Sequence, residues 1–199
     1  NSISSSSSIG ITTINTGVTL SMGSNAFTAY DFINNGTVAA GSGTWTLGFG
    51  FTNNLDATFT STSGNLNVAG DFTNNGTFNH NSGTVTLTNQ GGHQTIYGST
   101  TFYNLTKLAT QYSELEFNLA AGQTTQTIQG ALTLKGVTST DYLYVVGFPY
   151  DTPAKIDPQG TRDLDFIYIT NVSNINSTAI DLAGKTYTLY AGEGAISGF

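Results

Sequence analysis

Residues 31–47 read DFINNGTVAAGSGTWTL, and residues 71–87 read DFTNNGTFNHNSGTVTL. The copies align without a gap at an offset of 40 residues, sharing Asp31/Asp71, Phe32/Phe72, Asn34/Asn74, Asn35/Asn75, Gly36/Gly76 and Thr37/Thr77. They agree again at Ser42/Ser82, Gly43/Gly83, Thr44/Thr84, Thr46/Thr86 and Leu47/Leu87. Agreement of this length marks a repeating structural unit. Each copy reads as a short alternating strand, an Asn-Asn-Gly corner, a second strand, a Ser-Gly corner and a third strand. Asn and Gly accept positive φ and are expected to close the corners, while Thr, Val and Phe favour the pleat.

The same rhythm of short runs and turn residues continues outward in both directions, for example in residues 10–20, 125–128, 142–146, 165–170 and 185–190. No segment holds a 3.6-residue period over three turns, and residues 113–121 are the one stretch worth testing as helix. The chain is therefore expected to be all-β. A right-handed parallel β-helix, with coils of roughly 20 residues, turns the 40-residue period into two coils. It aligns Asn34/Asn35 with Asn74/Asn75 on one corner and points Phe32, Phe72, Leu47 and Leu87 inward. The alternative is an antiparallel sandwich or jelly roll in which each Asn-Gly closes a hairpin. Residues 142–161 break the rhythm, and the second half of the chain is expected to cap or close the stack as an irregular C-terminal cap. The domain reading is a Ser-rich segment with a leading strand over 1–22, followed by a single all-β domain over 23–199.

Composition narrows the function classes. Ser, Thr and Asn supply 71 of 199 residues, Gly adds 24, and only 9% are charged. That excludes a coiled coil or a charge-rich disordered tail. A net charge of −7, from 12 acids and 5 bases, disfavours binding to a phosphate backbone, so no nucleic-acid partner is expected. The absence of cysteine removes disulfides, thiolate metal sites and a Cys nucleophile. No apolar run is long enough for a membrane-spanning helix. Polar, charge-poor chains of this kind suit the cell exterior or cell surface. Five Asn-x-Ser/Thr sequons, at Asn35, Asn75, Asn104, Asn171 and Asn176, are candidate glycosylation sites.

Residues 74–106 (NNGTFNHNSGTVTLTNQGGHQTIYGSTTFYNLT), 126–134 (QTIQGALTL) and 156–180 (IDPQGTRDLDFIYITNVSNINSTAI) carry a family likeness. Together they resemble the repetitive modules of large bacterial surface proteins, similar to filamentous-haemagglutinin and autotransporter-type passenger domains. The resemblance covers roughly residues 26–183. It implies a right-handed β-helix and an adhesive or structural role rather than a catalytic one.

Candidate chemistry is sparse. His80 and His93 lie in Asn/Gly-rich stretches, with Glu114 and Glu116 further on, and read as exposed turn residues rather than metal ligands. Asp163 and Asp165 are two apart and share a strand face, with Asp157 nearby before Pro158. Such an acidic cluster would serve glycoside hydrolysis or hold calcium, but it equally guards a strand edge. No cofactor is otherwise expected. Trp45, Tyr142, Tyr144 and Tyr150 are candidate glycan contacts if solvent-facing and core or cap packing if not. The leading strand in residues 1–22, on its Ser-rich tether, reads as a strand that is donated to a neighbouring copy or caps its own domain. The expected partners are thus other copies of the chain, neighbouring surface modules and glycans. The expected function is non-catalytic, structural or adhesive, with a filament subunit and a polysaccharide-binding or -degrading domain as alternatives.

Overall fold

The computed structural model describes residues 10–89, 91–118, 124–190 and 197–199. It is a parallel β-solenoid of about 8 turns, with no helix among the described residues. The first coil holds β1 (Ile11–Ile14), β2 (Thr19–Ser21) and β3 (Phe27–Ala29); the second holds β4 (Asp31–Asn34), β5 (Thr37–Ala39) and β6 (Trp45–Leu47). The third has β7 (Phe51–Asn53), β8 (Thr58–Thr60) and β9 (Asn65–Val68), and the fourth has β10 (Phe72–Asn74), β11 (Thr77–Asn79) and β12 (Thr84–Leu87). In the fifth are β13 (Gly92–Tyr97), β14 (Thr100–Phe102) and β15 (Asn104–Leu108). The sixth contains β16 (Ser113–Asn118), β17 (Thr125–Ile128) and β18 (Leu132–Lys135). The seventh contains β19 (Leu143–Phe148), β20 (Ala154–Pro158) and β21 (Arg162–Asp165). Strands β22 (Ile167–Thr170), β23 (Val172–Asn174) and β24 (Tyr187–Tyr190) complete the series.

One face of the stack is a nine-stranded sheet from β1 to β24, taking every third strand up to β22. A second is the seven-stranded sheet from β3 to β21. The remaining face is broken into two four-stranded sheets, β2–β11 and β14–β23. All pairings are parallel, so corner residues close coils rather than hairpins and the antiparallel sandwich is excluded. Residues 113–121, tested as helix, contain β16 instead. Residues 142–161 are less irregular than expected: β19 and β20 lie in register within the stack, paired on both edges. The leading strand is not donated elsewhere in this structure, because β1 pairs with β4 and β2 with β5 of the same chain. The 22/23 boundary thus falls inside the first coil. The Ser run at residues 1–9 lies outside the described residues, as do residues 191–196.

The 40-residue period has a specific cause. Between β1 and β2 four residues (15–18) turn the corner, but between β4 and β5 only two do, Asn35 and Gly36. The third coil again uses four (54–57), and the fourth again two, Asn75 and Gly76. Wide and tight corners alternate, so the sequence repeats every second coil although each coil is about 20 residues long. Gly is needed at the tight corners because the wide corner below approaches closely. A Cβ on Gly76 would sit 2.4 Å from the carbonyl oxygens of both Asn54 and Ala57, and one on Gly36 would sit 2.4 Å from Val18 O. Neither glycine is among those with positive φ, so the expected reason for Gly here is corrected: space, not backbone handedness. Gly76→Ala is therefore expected to cost about 2 kcal/mol through forced displacement of backbone, measurable as a lower urea midpoint.

Inside the tight and wide corners alike runs an amide ladder. Asn34 Nδ2 donates to Asn53 Oδ1 at 2.9 Å, and Asn53 Nδ2 donates to Asn74 Oδ1 at 2.9 Å. Asn74 Nδ2 ends the row on Thr100 Oγ1 at 3.1 Å. Outside it, Asn54 Nδ2 donates to Asn35 Oδ1 at 2.7 Å. The early core is aromatic: Phe51 lies between Phe32 and Phe72 with near-parallel rings, and Phe59 stacks on Phe78 at 5.9 Å. These two columns meet edge-to-face, as at Phe51–Phe59 (4.8 Å, 78°), an arrangement that suits ring quadrupoles. From the sixth coil onward most of the inward positions are aliphatic, such as Leu134, Val145, Ile156, Leu164 and Ile169.

Candidate functional site

The nine-stranded face changes character at β13, where its strands lengthen from three or four residues to six. Its outward row there runs His93, Glu114, Tyr144, Tyr168 in direct register. A second row, two residues along, contains Thr95 and Glu116. Alternation on β16 turns Ser113, Leu115 and Phe117 inward, which places Glu114 and Glu116 on one outer face. His93 Nε2 lies 3.5 Å from Glu114 Oε1 and 3.2 Å from Glu116 Oε2. These three ligand-type atoms all fall within 4.8 Å of one another. Each carboxylate keeps its other oxygen occupied: Tyr112 OH donates to Glu114 Oε2 at 3.4 Å, and Asn118 Nδ2 to Glu116 Oε1 at 2.8 Å. Beside the cluster is a cleft of about 550 Å³, lined by Phe49, Ala69, Gly70, Asp71, Thr88, Asn89 and His93. Asp71 Oδ1 accepts from Thr95 N, tying the cleft wall to the same strand as His93.

The expectation for His93 is therefore corrected: it lies in β13 and faces two glutamates of the next coil. His80 is in a corner as expected, stacked on Tyr103 at 5.6 Å with Nε2 3.0 Å from Gln129 Oε1.

Four tyrosines form a ladder up the same face. Tyr112–Tyr144, Tyr144–Tyr168 and Tyr168–Tyr190 have ring centroids 5.0, 4.9 and 6.1 Å apart. Burial, then the Glu114 carboxylate, raises the Tyr112 hydroxyl above the usual tyrosine range. Tyr168 is raised by burial first and then by its neighbours Tyr190 and Tyr144. Stacking covers the middle rings, so only Tyr112 and Tyr190, at the ends, are well exposed. The grouping of Tyr142, Tyr144 and Tyr150 is redrawn: Tyr144 belongs to this ladder, and Tyr150 meets Phe148 edge-on at 5.7 Å. Trp45 is fully buried, its Nε1 donating to Ala40 O at 3.2 Å, so no glycan can reach it.

The acidic cluster does not assemble as one site. Asp163 and Asp165 do share a face of β21 around buried Leu164, but Asp157 lies on β20 in a different sheet. Asp163 is held by Lys135 at 2.6 Å and Lys185 at 3.5 Å. The Lys135 hydrogen bond in particular keeps its carboxyl below the usual range. Asp165 Oδ1 accepts from Phe166 N and Thr186 N, and Asp157 accepts from Gln159 and Asn176.

Among the sequons, Asn75 is exposed, while Asn35, Asn104 and Asn176 are half-buried. Asn171 is fully buried, with Nδ2 surrounded by the carbonyls of Gly147, Pro149 and Thr152 at 2.9–3.0 Å. No sugar can be carried there in the folded chain. Comparisons with protein-family models, curated proteins and solved structures gave no match.

Proposed function

We propose that the chain is a non-catalytic structural and adhesive module of an extracellular, cell-surface protein or fibre. The observation that carries this reading is a run of uncharged hydroxyl and amide side chains in register on the outer faces. On the seven-stranded face Thr28, Thr46, Asn67, Thr86, Thr106 and Thr133 follow one another strand by strand. On the β2–β11 face Thr19, Thr37, Thr58 and Thr77 do the same. Successive members are one strand spacing apart, about 4.8 Å, so the rows form a regular array of donors and acceptors. Such an array favours contact with another regular hydroxyl-rich surface, as in cell-wall or capsule polysaccharide. It also accounts for the low charge, since a charge repeated at this spacing would repel itself.

The test is retention of the full chain on immobilised polysaccharides, with Thr46→Glu/Thr106→Glu as the variant. Wild type is expected to be retained and the variant to bind at least tenfold more weakly, with an unchanged melting temperature. Failure of wild type to bind any of them, or equal binding by the variant, sinks the adhesive reading. A polysaccharide-degrading domain has less support, because Asp163 is engaged by two lysines and Asp157 faces elsewhere. Its own check is turnover of any polysaccharide that is abolished by Asp163→Asn and Asp165→Asn.

A further inference from the structure

We propose that His93, Glu114 and Glu116 form a binding site for a divalent transition-metal ion of the zinc class, joining the fifth coil to the sixth. The ligand chemistry is one imidazole and two carboxylates, a set that such ions accept with water in the remaining position. A tetrahedral ion with ligands at about 2.0–2.2 Å requires ligand atoms roughly 3.4 Å apart. His93 Nε2 already stands 3.5 Å and 3.2 Å from its two carboxylate oxygens.

An ordinary ion pair does not account for the arrangement equally well. Nε2 carries at most one proton, which the two carboxylate oxygens at 3.5 and 3.2 Å can only share as a weak three-centre bond. A dication at that point would serve all three groups and offset both negative charges. The outer oxygens support this, being held by Tyr112 OH and Asn118 Nδ2 so that Glu114 Oε1 and Glu116 Oε2 are left facing the imidazole. Hydrogen bonds of this kind, made to the far atom of a ligand, orient metal-binding side chains. His93 also lines the neighbouring cleft, which gives water or a further ligand access to the open position. The ligands come from β13 and β16, so a bound ion would cross-link consecutive coils just above the point where the third face breaks between β11 and β14.

The test uses the full chain, with zinc chloride in calorimetric titration and thermal melting, followed by EDTA. Saturable binding of one zinc per chain and a melting-temperature rise of several degrees, reversed by EDTA, are expected. His93→Ala and Glu116→Gln should each weaken binding at least tenfold, whereas Asp163→Asn should leave it unchanged. Since His93 is half exposed and Glu116→Gln keeps the size of a mostly buried side chain, circular dichroism should show both variants folded. Absence of saturable binding overturns the proposal, as does zinc binding that survives His93→Ala. Calcium binding as tightly as zinc, whatever stands at position 93, overturns the zinc-class assignment.

Discussion

Asn53→Ala is expected to lower the stability of the solenoid by about 3 kcal/mol, read from urea unfolding beside wild type. Asn53 is fully buried at the centre of the amide ladder. It accepts from Asn34 Nδ2, and it donates to Asn74 Oδ1 and to the Thr77 carbonyl at 3.0 Å. Truncation leaves the buried Asn74 Oδ1 without its donor, takes a side-chain donor from the Thr77 carbonyl, and removes one of the two acceptors of Asn34 Nδ2, which keeps the Thr58 carbonyl. Each stranded group costs about 1–3 kcal/mol, and the void adds a smaller amount. Neighbouring rungs share partners, so Asn34→Ala/Asn53→Ala should cost clearly less than the two single changes together. A single-variant loss below about 1 kcal/mol, or full additivity in the pair, would mean that the ladder is only a by-product of backbone stacking.

The ladder also shows why half of the period was legible in the sequence. Asn34 and Asn74 stand in the same phrase, NNGT, and their alignment on one corner is read directly from it. Asn53 stands in NNLDAT, where Leu55 and Asp56 widen the corner; Asp56 takes a φ of 65° and Leu55 is exposed. That insertion hides the intervening coil, although Asn53 is in register with both neighbours. Hydrophobic alternation identified the inward set, Phe32, Phe72, Leu47 and Leu87, because a strand one residue out of register would expose all of it. Trp45 followed from the same logic once its face proved to be core.

The His93 cluster was not legible in the same way, because its members are separated by one coil and no repeat marks that coil. The available signal was arithmetic: Glu114 is 21 residues after His93, close to one coil, and Glu114-x-Glu116 share a face only if the segment is a strand. Residues 89–93 (NQGGH) carry strong turn composition, which drew His93 into a loop reading. The tyrosine ladder was missed for a related reason. Tyr142, Tyr144 and Tyr150 are neighbours in sequence, but sheet register brings Tyr144 to Tyr168 and Tyr112, which come from the adjoining coils.

Raising the pH from 8 to 10 is expected to stabilise the chain, by about 2 kcal/mol, through a single inward-facing lysine. Lys107 alternates with outward Thr106 and Leu108 on β15 and is fully buried. Its Nζ donates to the Asn89 carbonyl at 2.6 Å and to Gln94 Oε1 at 2.8 Å. Gln94 is anchored in turn, through Nε2, on the carbonyls of Val68 and Gly70. All these partners are neutral, and burial lowers the Lys107 ammonium from 10.5 to about 8. The unfolded chain therefore binds more protons than the folded chain throughout that window, and stability must rise with pH. Above pH 10 the raised hydroxyls of Tyr112 and Tyr168 act with the opposite sign, so the gain is read between pH 8 and 10. Lys107→Met should flatten the rise, because it removes the titrating group while keeping most of its volume. Parallel pH profiles for wild type and Lys107→Met would show that the ammonium finds water or charge in the folded state and that its burial carries no such cost.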